Sequence, residues 1–100
     1  MPHEEIVKII LQKGLGNVNI SMFKEEEQKE ILRQVAGHYL RQGKIAEMLK
    51  ILEDIDIKKY LEIIEPIAKH CLDQGEFDKA ALIYEKIDKE MAEIIRKNLL

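Results

Sequence analysis

The feature that most constrains this chain is that it repeats itself. At an offset of 32 residues, Gly43 pairs with Gly75, Gln42 with Gln74, Ala36 with Ala68, His38 with His70, Leu40 with Leu72, Glu53 with Glu85, Ile55 with Ile87 and Asp56 with Asp88. Between these anchors, Val35 pairs with Ile67, Ile45 with Phe77 and Leu52 with Tyr84, each substitution keeping an apolar side chain. A period of this length marks a supersecondary unit that buries its apolar face only by packing on neighbours. The pattern inside each copy has a helical period, with one glycine between two apolar stripes. Helices joined through one glycine become antiparallel neighbours, so the unit is a helical hairpin.

The rest of the chain follows the same period. Ile6, Val7, Ile9, Ile10 and Leu11 recur at three- and four-residue offsets and predict a first helix from Pro2 to Lys13, with Glu4 and Glu5 at the positive end of its dipole. Gly14 ends it, and residues 14–21 are loop by composition. Ser21 or Asn19 is the expected cap of a long second helix reaching Gln42, whose stripe is Phe23, Ile31, Leu32, Val35, Ala36, Tyr39 and Leu40. Gly43 then turns the chain into a third helix, from about Lys44 to Asp54. Asp56 caps a fourth helix running to Gln74, with Tyr60, Leu61, Ile63, Ile64, Ile67, Ala68, Cys71 and Leu72 as its apolar side. Pro66 falls inside it and removes the hydrogen bond to the Glu62 carbonyl, which predicts a kink or a division into two pieces. Phe77 to Ile87 is the fifth helix. Asp88 caps a sixth, Lys89 to Asn98, with Met91, Ala92, Ile94 and Ile95 on its inner face. No segment reads as a strand.

Composition narrows the function classes. With 46% hydrophobic and 35% charged residues in 100, the chain is globular and holds one modest core. Its formal charge of -3 is spread without a basic patch. An apolar run of membrane-spanning length is absent, and Met-Pro-His-Glu-Glu is not the opening of a secretory signal. The single cysteine, Cys71, permits no internal disulfide and suits a reducing compartment, so the expected location is the cytoplasm.

The turn Gln74-Gly75-Glu76-Phe77, with Ala80 and Tyr84 after it and Ala68 before it, resembles the tetratricopeptide repeat. That family carries a small residue in the first helix of each pair, a Gly-acid-aromatic turn, and an Ala and an aromatic in the second. The resemblance spans Lys29 to Ala92: residues 61–92 match best, and residues 29–60 form a degenerate copy with Lys44, Ile45, Met48 and Leu52 at the signature positions. The period of 32 is shorter than the family's length of about 34, and the proline between repeats is missing. The resemblance implies a partner peptide or helix bound along the first helix of each pair. Carried onto this chain, that surface comprises Glu30, Arg33, Gly37 and Arg41 of the second helix and Glu62, Lys69 and Asp73 of the fourth. A clamp on a C-terminal carboxylate needs convergent donors, and Glu62, Glu65 and Asp73 repel such a group, so a partner of mixed or basic character is expected.

Residues that invite sharper readings have blander ones. His38 and His70 are equivalent and Cys71 adjoins the second, yet residues adjacent on a helix diverge by about 100° and no zinc-type spacing is present. Neither metal nor cofactor is expected. Cys71 between Ala68 and Leu72 reads as packing rather than as a nucleophile. Gly14-Leu15-Gly16-Asn17 lacks the strand, third glycine and Gly-Lys-Ser/Thr of a phosphate loop, and reads as a helix connection. Glu25-Glu26-Glu27 and Glu53-Asp54-Ile55-Asp56 read as solvated faces and caps. Lys58-Lys59 and Arg96-Lys97 are isolated among acids, which argues against a nucleic-acid stripe.

The expectation is therefore an all-α chain, a short stack of antiparallel, tetratricopeptide-like hairpins of about six helices. Residues 1–28 form an N-terminal capping helix, loop and start of the second helix; the repeats occupy 29–60 and 61–92; residues 93–100 end a C-terminal capping helix. The expected function is a non-catalytic module that binds another protein. The alternative is a nucleic-acid-associated regulator using a helix-turn-helix-like hairpin. The first helix carries apolar residues around much of its circumference and the chain closes on Leu99-Leu100, so self-association through a terminal helix is also expected.

Overall fold

The structure is a computed structural model that describes residues 3–100. Among these residues there is no strand, and six α-helices account for the fold: α1 (Glu4–Lys13), α2 (Glu25–Arg41), α3 (Ile45–Asp54), α4 (Ile57–Asp73), α5 (Phe77–Ile87) and α6 (Lys89–Asn98). A single 3-10 turn, Leu15–Asn17, links α1 to the segment before α2. They form two compact units, one ending at Ile55 and the other comprising Asp56–Leu100. In the first, α1 and α3 pack on α2, and the 3-10 turn lies against α1 and α3. In the second, α4 and α6 pack on α5. The place assigned to Pro2 in the first helix lies outside the described residues.

The repeat in sequence is a repeat in structure, residue for residue. Helices begin at Glu25, Ile57 and Lys89, at intervals of 32, and α2 and α4 are both 17 residues long. The turns that follow them are the same Schellman motif. The Gly43 N–H donates to the Leu40 carbonyl at 3.1 Å and the Lys44 N–H to the Tyr39 carbonyl at 2.8 Å. Gly75 and Glu76 repeat this with Leu72 and Cys71 at 3.1 and 2.9 Å. Gly43 and Gly75 have φ of 71° and 77°, the left-handed region in which a Cβ is strained. Burial keeps the same register: Ile31, Leu32, Ala36 and Tyr39 in α2 are matched by Ile63, Ile64, Ala68 and Cys71 in α4, and Met48, Ile51 and Leu52 in α3 by Ala80, Ile83 and Tyr84 in α5. No polar or charged side chain is buried among the described residues, so within each unit the core is held by apolar contact alone.

Four expectations about the helices change. The cap of α2 is neither Ser21 nor Asn19, which bond one another, the Ser21 N–H and Oγ donating to Asn19 Oδ1 at 2.9 and 2.6 Å. The helix starts at Glu25, and Glu27 Oε1 accepts the Lys24 N–H at 3.1 Å, half of a capping box without a capping hydroxyl. Phe23 accordingly precedes α2, its ring edge-on to His3 with centroids 5.7 Å apart. The two-piece possibility for α4 does not occur: the helix runs through Pro66 without a break. Ile94, assigned to the inner face of α6, is 53% exposed, while Ala92 and Ile95 are fully buried. The fourth change, Leu61, belongs to the surface described next.

Candidate functional site

The outward face of α4 is set by how firmly the helix is pinned at both ends and on its inner side. Asp56 Oδ1 accepts the Lys58 N–H at 3.1 Å and caps the start. The Gly75 turn closes the end. Tyr60, Ile63, Ile64, Ala68 and Cys71 are buried, which leaves Lys58, Leu61, Glu62, Glu65, Pro66 and Lys69 turned outward. With Lys59 these residues line a shallow, open depression of ≈ 700 Å³. Leu61, expected on the inner side, is 37% exposed and with Pro66 forms the apolar part of this lining. It stands one position away from the buried Tyr60 and so lies at the edge of the stripe, where one helical step of about 100° decides between core and surface. Three lysines and two glutamates complete the lining. Lys59 also lies over the Tyr60 ring, its Nζ 5.3 Å from the centroid.

Of the residues named from sequence, Glu62 and Lys69 line this depression, while Asp73, one turn further on, is exposed outside it. Lys58, Leu61 and Pro66 were not anticipated there. The signal for the proline was present, but its helix-breaking chemistry drew the reading away from its exposed ring. Glu30, Arg33, Gly37 and Arg41 lie on α2, in the other unit. Arg33 and Glu30 form an ion pair, and the Arg41 guanidinium folds back over Gly37, with Nη1 3.1 Å from where a Cβ would stand. The α2 face is thus largely engaged with itself.

A second concavity, in the first unit, is bounded by the end of α1, residues 14–17, Tyr39, and Glu47, Lys50, Ile51 and Asp54 of α3. It contains the glycine-rich loop noted in the sequence. The Asp54 carboxylate presses on Gly16, with Oδ2 3.2 Å from an added Cβ, and the Asn17 amide donates to the Lys13 carbonyl at 2.7 Å. A carboxylate at the loop repels an anion, so this is a helix connection and not a phosphate cradle. Burial and then the nearby Glu47 push the Tyr39 phenol above its usual pKa.

No group of three His, Cys, Asp or Glu side chains is placed to hold a metal ion among the described residues. Cys71 is buried, and burial, reinforced first by Glu76, pushes its thiol up. Comparison with protein-family models, curated proteins and solved structures returned no match.

Proposed function

We propose that this chain is a non-catalytic protein-interaction module whose recognition surface is the outward face of α4. The observation that carries this reading is the depression itself: exposed Leu61 and Pro66 flanking a stripe of mixed charge. The apolar residues supply contact area and the charges supply selectivity, which is how peptide and helix partners are held. Nucleic acid would instead call for lysines without intervening carboxylates, and Glu62 and Glu65 divide them here. The tetratricopeptide-like hairpins supply the frame, and the buried lone thiol suits action in the cytoplasm.

The test is affinity capture from the native cell extract at moderate salt, read by mass spectrometry, with Leu61→Glu/Lys69→Glu as the control. A protein captured by the natural chain, lost in the variant and indifferent to nuclease establishes the module and its surface. Capture of nuclease-sensitive material alone replaces it with the nucleic-acid reading.

Self-association is proposed through α6, on a separate observation. Ile94, Leu99 and Leu100 are 53%, 45% and 64% exposed, an apolar group at the surface of the second unit.

A further inference from the structure

The charges on α4 form an ordered stripe. Lys58, Glu62, Glu65 and Lys69 stand at i, i+4, i+7 and i+11, one face of a continuous helix, over about 16 Å at 1.5 Å per residue. All four are exposed and all four line the depression. Lys58, Glu65 and Lys69 make no side-chain ion pair among the described residues, while Glu62 already has an interaction within the chain. Read in either direction the order is base, acid, acid, base, and this symmetry decides what can lie on it. A second copy of α4 laid antiparallel in register sets Lys58 against Lys69 and Glu62 against Glu65; laid parallel, it sets each residue against itself. Both arrangements oppose like charges, and shifted registers match only half of the stripe.

The α2 face does not offer the same order. At the equivalent positions Glu26 replaces Lys58 and Arg33 replaces Glu65, two reversals of sign, Gly37 removes the charge of Lys69, and only Glu30 keeps that of Glu62. Its charges are already matched locally, Lys29 to Glu26 at 3.7 Å and Arg33 to Glu30. The order on α4 is therefore particular to one copy of the repeat and is not a general property of the hairpin.

We infer that the occupant of the α4 face is an amphipathic helix of a different protein, carrying acid, base, base, acid at i, i+4, i+7 and i+11 with apolar side chains beside that stripe to meet Leu61 and Pro66. This deepens the proposed function and rests on it. Because the order is symmetric, charge sets which helix binds and leaves its direction to the apolar flanks. Exposed pairs contribute selectivity more than affinity, since like charges across an interface penalise the wrong partner while water screens the right one.

Two alanine-based helical peptides test it on the full chain. One carries Glu, Lys, Lys, Glu at the stated spacing with flanking leucines, and its twin has every charge inverted. Titration followed by amide NMR shifts should show the first peptide favoured by about tenfold at roughly 50 mM salt, the preference shrinking at roughly 500 mM. In the variant Lys58→Glu/Glu62→Lys/Glu65→Lys/Lys69→Glu the preference should invert, with Glu65→Lys/Lys69→Glu as a milder version if the fourfold variant loses helicity. Equal affinity for the two peptides, no binding of either, or a preference that survives the charge swap overturns the inference. Those outcomes leave the interaction module standing if the extract still yields a nuclease-insensitive protein that Leu61→Glu/Lys69→Glu loses; without that protein the module falls too.

Discussion

At the residue scale the glycines separate into two kinds. Gly75 sits at φ 77° with open space around it, so an added Cβ meets no neighbour and the cost is purely that of a left-handed backbone. Gly75→Ala should therefore destabilise by roughly 1–2 kcal/mol in urea melts. Gly37 is the reverse, a glycine inside α2 whose added methyl meets only the movable end of Arg41. Gly37→Ala should stabilise by roughly 0.5–1 kcal/mol, because alanine has less backbone freedom to lose on entering the helix. The ionisable groups give a pH dependence of definite sign. Burial pushes Cys71, Tyr39 and Tyr84 upward, aided chiefly by Glu76, Glu47 and Glu65 respectively. A group whose pKa is raised by folding holds its proton more tightly in the folded state. Its contribution is intact below the unfolded pKa and is lost as pH climbs through the folded one. Denaturation midpoints should accordingly fall above the ordinary thiol pKa of about 8.5 and fall further beyond the ordinary phenol value of about 10. A flat alkaline profile would contradict the burial of these groups.

At the element scale the three equivalent helix starts differ only in their caps. Asp56 caps α4 and Asp88 caps α6, the latter accepting the Met91 N–H at 3.2 Å, whereas α2 begins at Lys24 with no capping side-chain acceptor. Glu27 already supplies the return bond of a capping box, so Lys24→Ser should complete it and stabilise by about 1 kcal/mol, measured as a shift of the urea midpoint. Helix α4 carries a different weakness. Pro66 provides no N–H for the Glu62 carbonyl, and an interior proline costs up to about 3 kcal/mol relative to alanine. Pro66→Ala should stabilise the fold by roughly 1–3 kcal/mol. The same change removes one of the two exposed apolar residues of the depression, so capture of the partner should weaken while the melt improves, and a variant that gains both would argue against Pro66 as a contact.

At the scale of the whole molecule, stability rests on a core without buried polar bonds, so the penalties are those of packing. Ile83 is fully buried in α5, between the two helices that pack on it, and Ile83→Ala should cost roughly 2–5 kcal/mol. For a domain whose total stability is on the order of 5–15 kcal/mol, that is a large share, and the melt of this variant should fall markedly. Self-association belongs to the same scale. Light scattering after size-exclusion should show mass rising with concentration for the natural chain and a monomer for Ile94→Glu. A natural chain that stays monomeric at high concentration removes this part of the proposal.

The period of 32, the two turning glycines and the alternation of apolar stripes determined the helices, the hairpins and the register of their buried faces, because each depends on local geometry that a sequence states directly. A glycine at φ above zero is legible from its spacing, and an Asp three residues before an exposed N–H is legible as a cap. Edge positions were not legible. Leu61 and Ile94 are apolar residues beside a buried stripe, and whether such a residue is covered depends on which neighbouring helix reaches it, which no local rule contains. The start of α2 moved for a similar reason: Asn19 and Ser21 satisfied one another and left Glu27 to bond the Lys24 N–H. The seven residues expected to form one binding face stand on α2 and α4, the two helices named for them, and Arg33 pairs with Glu30 of its own helix. Sequence alone named Glu62, Lys69 and Asp73 of α4. Only the tertiary structure showed Glu62 and Lys69 beside exposed Leu61 and Pro66, because packing against α5 turns one side of that helix inward and leaves the other exposed.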